Sequence, residues 1–254
     1  MELPPVAKTE KKEESIFDII KTVVVVVFVV LVLRTFAFEP FNIPSGSMIP
    51  TLLVGDYVMV SKYSYGYSKY SFPLYNPPFS GRVFGATPQR GDVAVFRLPS
   101  DPSIDYIKRI IGLPGDRIQV RDSILYINDK PVARRRVNDF MDDEYGPPIP
   151  TYQFMETLPN GRQHPILQRT LDGTGQNDNT AVFTVPDGYF FAMGDNRNNS
   201  EDSRVLSAVG YVPMENLVGR AEFRFFSIDA RAPWWQFWEW PFEIRYSRIF
   251  TRIR

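Results

Sequence analysis

The chain has no cysteine and a single histidine, His164, among 254 residues. The first absence removes disulfides as a source of stability, although an oxidising compartment stays open to the protein. Together the two absences leave no ligand set for a zinc site of the usual type, so no metal is expected. Charge of either sign is not in excess, because 29 Lys and Arg balance 29 Asp and Glu. No polybasic block stands out, which argues against a nucleic-acid partner. There is no internal repeat. No serine has a lysine three residues further on, the S-x-x-K spacing that sets a base beside a nucleophile on one helix.

What is present first is an apolar run from about Ile16 to Phe38, unbroken and mostly valine between Val23 and Leu33. A hydrocarbon layer about 30 Å thick needs ~20 helical residues, and the run reaches that length if Lys21 and Arg34 extend their charges to the two interfaces. Valine is a poor helix former in water, but in lipid the backbone must bond to itself and that penalty loses. The alternative is a cleaved secretory signal. Here the run ends in Arg-Thr-Phe-Ala-Phe-Glu-Pro and not in a small-residue cleavage site, so the sequence reads as a retained anchor. Lys8, Lys11, Lys12 and Lys21 precede the core of the run while little but Arg34 follows it closely. The positive-inside rule then puts a tail over 1–14 in the cytoplasm, a single transmembrane helix over 15–38 and the rest outside.

Beyond the anchor, short apolar runs recur between turn signals: DYVMV (56–60), DVAVFRL (92–98), DYIKRIIG (105–112), DRIQV (116–120), SILYIND (123–129), TAVFTVP (180–186), GYFFAMG (188–194) and GRAEFRFF (219–226). Strands without amphipathic helices predict a mainly β ectodomain. Between Arg134 and Thr180 the pattern dissolves into Pro, Gly, Asn and Asp, which predicts an inserted ribbon or loop-rich subdomain. The expected division is a β body over 39–120 and 187–229, an inserted subdomain over 121–186 and an aromatic and basic tail over 230–254. A second irregular stretch, Lys62 to Gln89, is expected to protrude.

Chemistry centres on Ser47 in FNIPSGSMIPTL (41–52), a tight Pro- and Gly-bracketed loop. An extended chain covers at most about 3.3–3.6 Å per residue, so Ser47 lies within roughly 30 Å of the end of the span near Phe38. A serine hydroxyl needs a neighbouring base to become a nucleophile. His164 sits in the poorly patterned region and reads best as a solvent-facing loop histidine. The other candidate is Lys108 in YIKRIIGLPGD (106–116), which on a strand shares a face with Tyr106 and Ile110. A free lysine, with pKa near 10.4, is protonated at neutral pH, and burial can lower that value by as much as ~3–5 pH units. Alternation alone leaves a surface lysine open, since Arg109 can equally be the outward residue. A third polar string, GDNRNNSEDSR (194–204), offers many short side chains that pin a turn, and Asp202 and Arg204 within it can pair.

Taken together, the anchor, PSGSMIPTL (beginning at Pro44), GDVAVF (91–96), DYIKRIIGLPGD (105–116), GDNRNNSEDSR (194–204), GYVP (210–213) and GRAEF (219–223) resemble the successive boxes of the type I signal peptidases, membrane-anchored serine proteases with a Ser-Lys dyad. The resemblance implies Ser47 as nucleophile and Lys108 as general base, with the Ser45 hydroxyl and the Ser47 N–H as the oxyanion hole. It implies that Ser200 orients the lysine and that Asp202 and Arg204 form a supporting ion pair. Two departures are visible, Asn198 where aspartate is commoner and a longer stretch from Val205 to Val209. The family also implies hydrolysis through an acyl-enzyme without metal or organic cofactor. Its substrates are secretory preproteins with small residues at the first and third positions before the cut, and its place is the bacterial inner membrane with the site on the periplasmic face. A non-catalytic membrane-anchored periplasmic β module would share the anchor and strands. A Ser-Lys self-cleaving regulator is disfavoured by the anchor and by the lack of a DNA-binding amino-terminal domain. Finally, PWWQFWEWPF (233–242) holds every tryptophan and is followed by IRYSRIFTRIR. Aromatics with arginines are an interfacial combination, set against packing on the β body as the alternative.

Overall fold

The apolar run forms one helix, α1 (Ile16–Phe36), whose residues through Arg34 are exposed. Its 21 residues are long and apolar enough to cross a membrane, at 1.5 Å of rise each about 30 Å in all. A computed structural model describes residues 16–72, 79, 81–142, 146–171, 173–229, 238 and 240–253. The expected tail over 1–14 and part of the tryptophan string, residues 233–237 and 239, lie outside them. The helix stops two residues before Phe38 because Phe38 already pairs with Ser61 in the first antiparallel ladder. That junction is tied down: Arg34 and Lys62 both reach Glu39, at 2.8 and 2.9 Å, and the Tyr67 hydroxyl donates to the Phe36 carbonyl at 2.8 Å.

Along the chain, β1 (Phe38–Asn42) and β2 (Asp56–Ser61) flank the serine loop, and β3 (Tyr67–Ser68) and β4 (Arg82–Val83) make a small ribbon. A hairpin of β5 (Val93–Arg97) and β6 (Asp105–Gly112) leads into β7 (Arg117–Arg121), β8 (Ile124–Ile127) and β9 (Lys130–Pro131). The insert holds β10 (Ala133–Arg136), β11 (Phe140–Asp142), β12 (Ile149–Thr157) and β13 (Gln163–Gln168), and β14 (Phe183–Thr184) closes back on β7. The chain ends through β15 (Tyr189–Met193), β16 (Val212–Pro213), β17 (Leu217–Ser227), a single helical turn α2 (Trp240–Glu243) and β18 (Thr251–Arg252). Mainly β architecture is what the strand pattern predicts.

The principal sheet runs β1-β2-β17-β5-β6-β15-β16, with β18 also on β17. Register shifts along β17 bend it and curl the sheet. On one face Met48, Leu52, Val58, Val60, Val93 and Val95 pack together; on the other, Ala94, Phe96, Ile110, Phe190 and Ala192. The run Val93–Phe96 is apolar at every position because both of its faces are covered. A third cluster, including Ile118, Val120, Leu125, Leu158 and Phe191, joins the insert to the body.

Two expectations change. The stretch after Lys62 does not simply protrude, since Lys62, Tyr65, Ser68 and Ser71 are buried and the Tyr65 hydroxyl donates to Asp92. His164 is not in a solvent-facing loop but on β13, opposite Glu156, and is only 1% exposed. At the carboxyl end the backbone returns to the body: Ile253 enters the core, and Arg245 and Arg248 pair with Asp229 and Asp56. Trp238, Trp240, Phe242, Tyr246 and Phe250 nevertheless stay exposed.

Candidate active site

Ser47 sits in a single 3-10 turn, Gly46–Met48, between β1 and β2. Met48 and Leu52 anchor this loop in the core with no exposed surface, which fixes the backbone beneath the serine. Lys108 projects from β6, where its register partner is Ala94 on β5. Its Nζ lies 2.7 Å from Ser47 Oγ and donates to the Ile107 carbonyl at 3.1 Å. Ser47 and Lys108 are 8% and 4% exposed. Burial pushes the lysine pKa from the usual 10.5 to about 8, against the opposing pull of the Asp202, Glu201 and Asp195 carboxylates. The ring of Tyr106 covers the amine, 5.0 Å from its centroid. Ser45 Oγ stands 3.5 Å from Ser47 Oγ at the rim.

Alternation along β6 made Lys108 and Arg109 competitors for the interior, yet both are buried, because the sheet is covered on each side at that point. Arg109 turns the other way and holds Asp195 through Nε to Oδ1 at 2.8 Å and Nη2 to Oδ2 at 2.7 Å. Thr51 donates to the same carboxylate.

The 194–204 string closes over the serine loop. Gly194 passes so near that a Cβ there would lie 2.1 Å from Ser200 Oγ and 2.5 Å from the Ser47 carbonyl oxygen, so only glycine fits. Asp202 accepts from Gly194 N at 2.9 Å and pairs with Arg204 through two contacts of 2.8 Å. Burial opposes charge on Asp202, but Arg204 and the Gly194 N–H outweigh it and hold the carboxyl below its usual range. Ser200 lies near enough to Asp202 to favour its ionised form, yet no well-formed hydrogen bond joins Ser200 Oγ to Lys108 or Asp202 among the described residues. The expected constellation is therefore assembled in one place except for that contact.

Several residues of the site were not singled out by sequence. Besides Arg109 and Asp195, they are Asn196, which donates from N to the Ser47 carbonyl and from Nδ2 to the Gly46 carbonyl, both at 3.1 Å, and Arg197, bonded to Glu156. Asp195, Asn196 and Arg197 stand in GDNR and Arg109 in DYIKRIIG, but only the fold shows what each faces. The Asn198 departure has a local reason: its amide nitrogen donates to Asp178 at 2.9 Å and its oxygen accepts from Arg169 N at 2.8 Å. Aspartate there would set two carboxylates against each other.

Beside the dyad runs a cleft whose walls include Phe41, Ile43, Val95, Ile107 and Tyr106, with Glu201 and Asp105 at its edge. Residues Asp105–Lys108 are laddered to β5 alone, since β15 joins β6 only from Arg109 onward. Among the described residues no group of His, Cys, Asp and Glu is arranged to hold a metal.

The site sets a buried amine against a serine hydroxyl on a curled sheet, beside a helix long and apolar enough to cross a membrane. The model of the family described as "Signal peptidase, peptidase S26" matches residues 16–226. The chain is 43% identical to a signal peptidase I of Rickettsia typhi, over 97% of this chain and 95% of that one, and 42% identical to a signal peptidase I of Rickettsia conorii, over 97% and 94%. A solved signal peptidase I from Enterococcus faecalis aligns at 28% identity over 53% of this chain and 97% of that one, with a TM-score of 0.31, too low to bear on the fold. The chain belongs to the signal peptidase family, peptidase S26, and is a serine peptidase that removes signal peptides.

Proposed function

We propose that the chain cleaves secretory preproteins by a Ser-Lys dyad, and the observation that carries this reading is the 2.7 Å approach of the buried Lys108 amine to Ser47 Oγ. Neutral Lys108 takes the Ser47 proton as Oγ bonds to the scissile carbonyl carbon. The carbonyl oxygen becomes an oxyanion held by the Ser45 hydroxyl and the Ser47 N–H. Lys108 then returns the proton to the departing amine as the C–N bond breaks, leaving the acyl group on Ser47. Water, deprotonated by the same amine, releases the product. Asp202 with Arg204 braces the loop bearing Ser200, and Ser200 orients the lysine amine.

An extended substrate adds as a strand to the open edge at Asp105–Lys108. Its side chains then meet apolar walls close at hand, which favours small residues at the first and third positions before the cut. The amino terminus lies in the cytoplasm and α1 spans the bacterial inner membrane once, so the cleft works at the periplasmic face. The body over 39–120 and 187–229 carries the chemistry and 121–186 is its inserted subdomain. The exposed aromatics of the carboxyl tail rest in the lipid interface, a role tested by liposome binding of an anchor-free ectodomain cut after Ala232. Unchanged binding would count against it.

The decisive experiment for the activity incubates purified full chain in detergent with a preprotein bearing an Ala-x-Ala site, beside Ser47→Ala and Lys108→Ala. Product mass identifies the bond. A β module without catalysis would leave the preprotein whole in all three samples.

A further inference from the structure

Among the described residues the hairpin of β12 and β13 contributes nothing to the walls of the cleft, yet it stands directly behind the 194–204 loop. Leu167 N donates to the Asp195 carbonyl at 2.9 Å and Arg197 N to the Leu167 carbonyl at 3.0 Å, so β13 and the loop are joined as a short parallel ladder. The side chains reinforce it. Glu156, wholly buried on β12, receives Arg197 Nη1 at 2.8 Å and Nη2 on its second oxygen. His164 lies alongside, with Nε2 3.5 Å from Glu156 and 3.9 Å from Asp195. The Arg197 carbonyl in turn accepts from Arg204 at 2.8 Å.

On the opposite side of the loop the neighbouring residue, Asn196, touches the serine turn. Its Nδ2 donates to the Gly46 carbonyl at 3.1 Å. That carbonyl and the Ser47 N–H belong to one planar peptide group, so fixing one fixes the direction of the other. The Ser47 N–H is the donor aimed at the oxyanion. A route of directional contacts therefore leads from Glu156 through Arg197 and Asn196 to the Gly46–Ser47 peptide plane.

We propose that Glu156 is a positioning residue for the peptidase reaction, acting through Arg197 and Asn196 to hold the Ser47 N–H toward the developing oxyanion. This rests on the Ser47–Lys108 reading of the site. The insert is then a brace for transition-state geometry and has no part in gripping substrate, so its failure affects turnover and spares affinity. Three cations, Arg109, Arg197 and Arg204, face three carboxylates, Glu156, Asp195 and Asp202, in this buried layer. Neutralising Glu156 frees Arg197 to shift toward the remaining carboxylates and drags the loop with it.

The test measures preprotein cleavage by the full chain in detergent for wild type, Glu156→Gln, Asn196→Ala and the Glu156→Gln/Asn196→Ala double variant. Misplacing a catalytic group by ~1 Å costs about a hundredfold, so Glu156→Gln is expected to lower kcat by at least about tenfold with KM within about twofold of wild type. In the Asn196→Ala background the same change is expected to lower kcat by a clearly smaller factor, because the Nδ2 contact to Gly46 is gone and only the Asn196 N–H to the Ser47 carbonyl remains. A structural role for Glu156 alone would lower active protein by the same factor in both backgrounds, and that outcome overturns the proposal, as does wild-type kcat in Glu156→Gln. If Glu156→Gln does not fold, the Glu156→Met/Arg197→Met pair replaces the buried ions with apolar groups, a change that is often neutral or stabilising. It is expected to melt like wild type and still turn over slowly; full turnover sinks the idea. Wild type that leaves the preprotein whole defeats the Ser47–Lys108 reading itself and this inference with it, whereas cleaving wild type beside an equally active Glu156→Gln defeats the inference alone.

Discussion

Arg109 and Asp195 meet in parallel, Nε to Oδ1 at 2.8 Å and Nη2 to Oδ2 at 2.7 Å, each side chain 1% exposed. The pair ties the strand that carries Lys108 to the loop that covers Ser47. Removing one member strands the other charge in the interior, which typically costs about 3–5 kcal/mol. Asp195→Asn and Arg109→Met are each expected to lower the urea unfolding midpoint sharply and to reduce cleavage in the protein that remains folded.

As the proposed general base, Lys108 must be neutral to accept a proton, and burial lowers its pKa to about 8. Expected kcat/KM therefore rises about tenfold per pH unit below 8 and levels above it. A pH profile with its acid midpoint below 7 or above 9.5 would contradict the burial argument. Stability carries the same signature. The folded state binds this proton less tightly than the unfolded chain, so the lysine is destabilising below pH 8, and the loss is relieved as pH rises from 8 to 10.5. The full difference is about 3 kcal/mol at ~1.4 kcal/mol per tenfold in proton affinity. Lys108→Met is expected to be inactive, more stable than wild type at pH 7, and free of that rise.

Ser45 is exposed at the rim and bonded to little besides Ser47, so its loss has no structural cost to confuse the kinetics. Ser45→Ala is expected to lower kcat by roughly 10²–10³ with KM little changed. Ser45→Thr, which keeps the hydroxyl, is expected to recover most of it.

His164 is buried and its pKa lies below the usual 6.5, first because burial disfavours the imidazolium and second because Arg109 repels it. A base whose folded pKa is depressed loses stability as pH falls below its unfolded value, since the unfolded chain then binds more protons. Unfolding measured from pH 7 to 5 is expected to show a steeper loss for wild type than for His164→Gln. Equal slopes would mean that the imidazole binds its proton as tightly in the fold as in the unfolded chain, against the burial argument.

The strands with clean alternation or unbroken apolar runs are legible in the sequence itself: DVAVFRL forms β5 and DYIKRIIG forms β6 because their burial is dictated locally. β1 was not, since Phe38–Asn42 holds a proline and two polar residues and owes its extension to pairing with β2. β12 and β13 were hidden for a similar reason, as Pro150 and Pro165 and several polar residues break the pattern while the hairpin ladder runs regularly through six pairs. Ser47, Lys108, Asp202 and Arg204 stood out as strings, and the fold brings them together. What no string conveyed was the layer behind them. Glu156 and Arg197 are 41 positions apart, and nothing in the neighbourhood of either residue announces its partner. His164 read as a loop residue because its pairing with Glu156 is a property of the folded insert.

Only Ala37 separates the helix from the first strand, and Glu39 is gripped at once by Arg34 and Lys62. The folded body consequently follows α1 without a swivel. On the reading proposed above, every bond offered to Ser47 arrives at one altitude over the lipid, and the apolar length of the incoming chain becomes a ruler. One added helical turn moves its far end by about 5.4 Å, enough to carry the intended bond past a nucleophile that has no slack with which to follow it.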